Sequence, residues 1–163
     1  ITADNARLVS NLHANLGGLY RMNGYPDLAR EHMEKSISLL DQFNLLHIND
    51  SIPQIANYAM FLTEQQEPER GISELQKLSG IIKEYHSDDC LDYAKVQETL
   101  GTIYLMTANL PQAKTHFKRA FKIYEKIWAD EPEMIEAKYQ EIQELYPQIG
   151  FFIGKNLSGL LTK

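Results

Sequence analysis

The chain has 163 residues, one domain's length, and its 22 acidic against 16 basic residues give a formal net charge of -6. An acidic chain without a basic stripe is a poor candidate for nucleic-acid binding, and its most basic stretch, residues 114–119, fits a solvated helix face. The single cysteine, Cys90, excludes an internal disulfide and suits a reducing compartment. No run of 18 apolar residues and no signal peptide is visible, so we expect a cytoplasmic protein that does not cross a membrane.

Apolar residues recur with a helical period along the whole chain, which predicts an all-α fold of seven or eight helices. Ser51 with Gln54 predicts a capping box at the start of the third helix, and Pro147 is expected to end the seventh. In chain order, we predict helices at about 5–22, 26–43, 51–66, 68–85, 90–107, 111–128 and 131–146, with a short eighth within 149–161.

A spacing of 42 residues relates three stretches of the chain. Each stretch has a small residue in both of its helices and a large residue three or four positions further on. Two antiparallel helices approach closely only where one side chain is small, so these columns predict three helical hairpins. A fixed period of this size indicates stacked units rather than one shared core. The small residues are Gly17, Ala59 and Gly101 in the first helices, and Ala29, Gly71 and Ala113 in the second helices.

The third hairpin shows most clearly which family the chain resembles. Its pattern consists of Leu100, Gly101, Tyr104, Ala113, Phe117 and Ala120. These residues stand at the spacing of the tetratricopeptide repeat, which the chain resembles over about residues 10–128. The 42-residue period, longer than the standard 34, resembles the repeats of kinesin light chains and of bacterial regulatory proteins. The resemblance implies a right-handed α-solenoid of stacked helix-turn-helix repeats. It would form a single domain, with units at about 10–43, 52–85 and 94–128 and a degenerate fourth unit or cap at 131–163.

In this family the first helices of successive units line a concave groove, so the resemblance implies a peptide-binding surface on those helices. Asn15 and Asn57 share one column, and their amides can pair with the backbone of an extended peptide without reading its side chains. Alternatively, they bridge between units or meet solvent. His13, near the end of this face, is a candidate for a pH-sensitive contact. The predicted groove residues are Asn11, Asn15, Gly18 and Met22, then Asn57, Met60 and Thr63, and then Lys95, Thr99, Thr102 and Met106.

These features predict a non-catalytic module that binds a protein or peptide, with no cofactor and no metal. The alternative function is a sensory or oligomerisation segment of a larger, bacterial signalling or transcriptional regulator. The segment around His86 and Cys90 fits a helix-capping loop, with Asp88 or Asp89 as the cap, better than a metal site. We expect Cys90 to be a small buried thiol rather than a nucleophile. The apolar tail at 149–161 would cap the sixth helix, cover the groove or join a second molecule in a homo-oligomer.

Overall fold

Seven α-helices form the part of the chain that the computed structural model describes, residues 2–145. The fold is therefore all-α, as predicted, and the helix bounds agree with the sequence analysis to within two residues. No helix in this part of the chain is both long and apolar enough to cross a membrane. Pro147 and the predicted eighth helix lie outside the described residues. The helices are α1 (Ala3–Met22), α2 (Pro26–Gln42), α3 (Ser51–Glu64), α4 (Pro68–Tyr85), α5 (Leu91–Met106), α6 (Leu110–Ile127) and α7 (Pro132–Leu145).

The contacts between helices divide the chain into two compact units, Ile1–Asp88 and Asp89–Lys163. In the first unit, α1 packs on α2 and α3 packs on α4, and α3 also contacts α1 and α2, so two hairpins lie side by side. In the second unit, α5 packs on α6, and α6 contacts α7. The single repeat domain expected from the sequence stays a prediction.

The small residues of the repeat lie where the two helices of a hairpin come closest together. In the second hairpin, a Cβ atom added to Gly71 would lie 2.6 Å from the carbonyl oxygen of Ala59. In the third hairpin, a Cβ on Gly101 would lie 2.9 Å from the ring of Phe117. A backbone oxygen cannot rotate aside as a side chain can, so Gly71 is the more tightly constrained of the two glycines.

The turn inside each hairpin has the same geometry three times. Gly24, Gln66 and Ala108, spaced by one period, have left-handed φ angles of 77°, 65° and 59°. In each turn the next N–H donates to a carbonyl five residues earlier, which satisfies an acceptor at the end of the first helix. These bonds are Tyr25 to Tyr20 (2.9 Å), Glu67 to Leu62 (2.8 Å) and Asn109 to Tyr104 (2.7 Å).

Two histidines meet inside the first hairpin, although they are far apart in the sequence. The Nδ1 atoms of His13 and His32 are 2.8 Å apart, so one ring must be neutral and accept the N–H of the other. The ring of Tyr20 stacks on His32 with centroids 5.3 Å apart. Burial, the adjacent His32 and the cation of Lys35 lower the pKa of His13, against the opposing charge of Glu31. The pH-sensitive contact suggested for His13 is thus a contact with His32 of α2, inside the hairpin.

The third hairpin repeats this arrangement two periods later. His116 stacks on Tyr104 with centroids 5.3 Å apart, and its Nδ1 atom lies 2.9 Å from the side-chain oxygen of Gln97. Gln97 occupies the column of His13, so a glutamine serves here where the first hairpin has a second histidine. Burial and the charge of Arg119 lower the pKa of His116.

The predicted capping box at the start of α3 is wrong. Ser51 lies inside the helix, and its hydroxyl donates to the carbonyl oxygens of Leu46 (2.6 Å) and Ile48 (2.7 Å) in the preceding loop. Gln54 turns towards the first hairpin, where its side-chain oxygen accepts the hydroxyl of Ser10 at 2.7 Å. Gln54 is only 8% exposed, so its amide needs partners in the interior, and it finds them on the first hairpin rather than at the start of its own helix.

Replacing Gly71 with alanine is expected to destabilise the protein by about 1–3 kcal/mol, because the new Cβ would collide with a backbone oxygen. Gly80 lies on the same helix and has no atom within 4 Å of an added Cβ. Gly80→Ala is therefore the matched control, and we expect it to stabilise the protein by about 0.5–1 kcal/mol. Urea unfolding followed by circular dichroism measures both effects. A Gly71→Ala protein as stable as the wild type would contradict the close approach.

Lowering the pH from about 7.5 to about 5.5 is expected to reduce stability, because His13 and His116 bind protons more readily in the unfolded chain. The stability that the two neutral histidines contribute is fully present above pH 6.5, the ordinary pKa of histidine. It is lost as the pH falls from there towards the lower pKa that each histidine has in the folded protein. In the His13→Gln variant a glutamine faces His32, as Gln97 faces His116 in the third hairpin. The variant therefore lacks one of the two histidines whose pKa is lowered, His13, and keeps the other, His116. The urea midpoint of this variant should fall less between the two pH values than that of the wild type. An equal fall would contradict the role of His13.

Candidate functional site

A pocket of about 230 Å³ opens on the first unit beside α1 and α3. We call it the α1–α3 pocket. The nearly buried Met33 and Ser36 of α2 form its floor. Its lining combines small and methionine side chains with an arginine and two amides. The lining residues are Ala14, Gly18, Arg21, Met22, Met33, Ser36, Gln54 and Asn57.

Three of the residues predicted from the sequence lie around this pocket: Gly18, Met22 and Asn57. A Cβ added to Gly18 would meet no atom within 4 Å, so the absence of a side chain there leaves open space. Met22 is 85% exposed. Asn57 is exposed, and its amide has no hydrogen-bond partner among residues 2–145. The amide is therefore available to a ligand.

The other two asparagines predicted on α1 differ from each other. Asn15 is exposed and has no hydrogen-bond partner within the described chain, but it does not line the pocket. Asn11 is already bonded: its amide nitrogen donates to Asp50 at 3.3 Å and its oxygen accepts the amide of Gln54. Asn11 thus helps to hold the two hairpins together beside the pocket.

The three predicted threonines use their hydroxyls within their own helices, so they have little to offer a peptide. Thr63 and Thr102 are also buried, at 6% and 9% exposure. The bonds run from Thr63 to the carbonyl of Ala59 (2.9 Å), from Thr99 to that of Lys95 (3.0 Å) and from Thr102 to that of Glu98 (3.1 Å).

The remaining predicted residues are Met60, Lys95 and Met106. Met60 is half-buried on α3 and does not line the pocket. Lys95 and Met106 are exposed on α5 of the second unit, and the Lys95 ammonium lies 3.9 Å from a carboxylate oxygen of Asp92.

A buried polar cluster of Ser10, Ser36 and Gln54 lies beneath the pocket and was not predicted from the sequence. The Oγ atom of Ser10 lies 3.1 Å from that of Ser36 and donates to the side-chain oxygen of Gln54 at 2.7 Å. Ser36 donates to the same oxygen. Ser10 and Ser36 are 0% and 1% exposed. Because Ser36 and Gln54 also line the pocket, the cluster gives the pocket a polar floor.

The repeat itself does not require this polar cluster. At the positions of Ser10 and Ser36, the other two hairpins carry apolar residues. Buried polar groups cost free energy unless they are bonded, so an apolar column is the simpler choice. Comparing columns along the 42-residue period would have revealed the exception. The equivalents are Ile52 and Ala94 for Ser10, and Leu78 and Ala120 for Ser36.

Ion pairs join α1 to the second hairpin near both ends of α1. At one end, the Nε atom of Arg7 lies 2.6 Å from a carboxylate oxygen of Asp50. Hydrogen bonds from Asn11 and Arg7 lower the pKa of Asp50. At the other end, the Nε atom of Arg21 donates to Glu64 at 2.8 Å. Arg21 is thus neutralised, so we expect the pocket to favour an uncharged ligand over an anion.

The structure disperses the residues considered for a metal site. His86 Nε2 lies 2.9 Å from the carbonyl oxygen of His47, and Asp88 lies 3.5 Å from the ammonium of Lys83. Cys90 is half-buried. Among residues 2–145, no three His, Cys, Asp or Glu side chains come together in a group that could hold a metal ion.

Cys90 caps α5, so the expected cap by Asp88 or Asp89 is wrong. The sulfur of Cys90 accepts the backbone N–H of Tyr93 at 3.4 Å. Both aspartates instead pair with lysines, because they lie further from the first turn of the helix.

The comparisons with known proteins agree with this architecture. Residues 51–126, from the start of α3 to near the end of α6, match the family model of the tetratricopeptide repeat. The fold is similar to that of BtubC (BKLC) from P. vanneervenii, with a TM-score of 0.71 and 18% sequence identity. The match covers 89% of this chain and 58% of that one, and at this identity it shows the fold alone. No curated protein matches the chain.

The family-model match over residues 51–126 confirms the resemblance to the tetratricopeptide repeat that the sequence predicted. Two hairpins, α3–α4 and α5–α6, account for this match, and both have the equivalent turn and the small residues of the repeat. Residues 51–126 thus match the tetratricopeptide repeat, and the fold around them is that of a helical repeat protein.

Proposed function

We propose that the chain is a non-catalytic module that binds an extended segment of another protein through the α1–α3 pocket. Tetratricopeptide repeats serve in general as protein-interaction scaffolds, and stacked repeats present long surfaces suited to this role. The observation that carries the proposal is the open pocket lined by Gly18, Met22 and Asn57, with a polar floor that the repeat does not require. The alternative, a sensory or oligomerisation segment of a larger regulator, stays a prediction.

The pocket's chemistry suggests what kind of segment it would bind. The unpaired amide of Asn57 can donate to a peptide carbonyl and accept a peptide N–H at the same time. Met22 and Met33 are flexible, so they can adapt to different apolar side chains. Arg21 is neutralised by Glu64 and does not select for an acidic residue. We therefore expect an uncharged, extended segment that places an apolar side chain over Met33.

The proposal rests on the first unit alone. Asn15, exposed and unpaired, is proposed as a second backbone contact on α1 for a segment long enough to extend past the pocket. For the second unit, the groove assignment of Lys95, Thr99, Thr102 and Met106 stays a prediction. So do the absence of a cofactor and the cytoplasmic location.

Filling the pocket tests the proposal. Peptides are selected from a displayed random library on the immobilised wild-type chain, and their dissociation constants are measured by fluorescence anisotropy. Gly18→Leu places a side chain in open space, so the fold is kept and the pocket is filled. We expect binding to weaken by about tenfold or more, a loss of about 1.4 kcal/mol. Gly80→Leu makes the same change at an equally open position outside the pocket and should bind as the wild type does.

The asparagines provide a second test with the same peptides. Asn57→Ala removes the N–H donors and the carbonyl acceptor of the amide, and we expect a loss of about 1–2 kcal/mol in binding. Asn15→Ala combined with Asn57→Ala should weaken binding further. A library that yields no binders, or binders unaffected by Gly18→Leu, would refute binding through this pocket. Circular dichroism checks that each variant keeps the helical content of the wild type.

A further inference from the structure

The face of α1 that points away from α2 is apolar and open to solvent. On the opposite face, Ala6, Ser10 and Gly17 are buried. An exposed helix face normally carries polar residues, and an apolar stripe of this length marks an interaction surface. The exposed apolar residues are Leu8 (62%), Leu12 (54%), Leu16 (39%), Leu19 (56%) and Met22 (85%).

The equivalent face of α3 is already covered in this structure. One period after Leu12, Leu16 and Leu19 stand Gln54, Tyr58 and Phe61. Their exposed fractions are 8%, 3% and 1%. The same columns of the repeat are therefore open on α1 and closed on α3.

The second helix of the preceding hairpin, α2, closes the face of α3. Met33 of α2 belongs to the same buried cluster as Tyr58 and Phe61. The hydroxyl of Tyr58 donates to Glu34 at 2.8 Å, and the guanidinium of Arg30 lies 5.6 Å from the centre of the Phe61 ring. This interface shows how a helix packs on these columns.

We propose that α1 is a docking surface for an amphipathic helix that packs on Leu12, Leu16 and Leu19 as α2 packs on α3. The partner is a helix of the second-helix type, with a continuous apolar stripe and a small residue in its first turn, as Ala29 is in α2. The continuity of these columns with the established α2–α3 interface carries the proposal.

The edges of the α1 face specify the partner further. Three carboxylates at the α3 face pair with arginines of the first hairpin, whereas the equivalent positions on and after α1 are apolar. Only one of these arginines, Arg30, lies on α2, so we expect the partner helix to carry an apolar residue in place of that arginine. The equivalent positions are Leu8 for Asp50, Met22 for Glu64 and Tyr25 for Glu67, and the arginines are Arg7, Arg21 and Arg30.

The probe is a synthetic peptide with the sequence of α2, residues 26–42. A lactam bridge between Glu31 and Lys35, which form an exposed i,i+4 ion pair on α2, keeps the isolated peptide helical. A second peptide carries Arg30→Leu. Binding of each labelled peptide to the whole chain is measured by fluorescence anisotropy. We expect both to bind, and the Arg30→Leu peptide to bind more tightly, since Leu19 and Tyr25 replace the Phe61 and Glu67 that hold Arg30.

Substitutions on the protein locate the binding. Leu12→Asp combined with Leu19→Asp should weaken binding of the Arg30→Leu peptide by about tenfold or more. Leu110→Asp, at an equally exposed leucine of α6 (48%), is the matched control and should leave binding unchanged. Gly18→Leu should also leave it unchanged, which separates this surface from the α1–α3 pocket. Circular dichroism confirms that the variants are folded.

Three results would each overturn the proposal. The first is that neither peptide binds. The second is that Leu12→Asp with Leu19→Asp has no effect on binding. The third is that sedimentation velocity shows a dimer of the wild-type chain that this double variant dissociates. In that case a second copy of the chain, and not a helix of the second-helix type, covers α1.

Discussion

The close approach of the two helices within each hairpin is the contact on which the rest of the structure depends. At Gly71, a single added carbon would lie 2.6 Å from the backbone of α3. Such proximity fixes the relative position of the two helices, because no side chain separates them. The identical left-handed turns at Gly24, Gln66 and Ala108 hold each hairpin in that arrangement. The two helices of each hairpin are therefore in close contact along one face, and their remaining faces are available for stacking and binding.

The first hairpin differs from the other hairpins in two ways. Its interior contains the serines of the polar cluster, where the other hairpins have apolar residues. The leucines on its outer face are open to solvent, whereas the equivalent face of α3 is covered by a neighbouring helix. The first departure lies beneath the α1–α3 pocket and the second on the solvent side of α1. Both involve side chains of α1, Ser10 in the first departure and the exposed leucines in the second.

A single helix can have these separate roles because its period divides it into faces. Gly17 faces α2 and sets the spacing of the hairpin. Gly18, its neighbour in sequence, opens the pocket. Leu12 and Leu19 lie on the outer face. Met22 belongs to both the pocket lining and the outer stripe, at the end of the helix where these two surfaces meet.

The sequence by itself determined the helices, the hairpins and the points where they touch, because these follow from local periodicity and from residues whose size alone matters, such as Gly71. Only the tertiary structure decided where polar side chains find their partners. Gln54 was expected to cap its own helix but bonds to Ser10, 44 residues away. His13 and His32, without any shared motif, form one pair. A hydrogen bond between side chains depends on which residues face each other on neighbouring helices. Those contacts form only when the helices pack together.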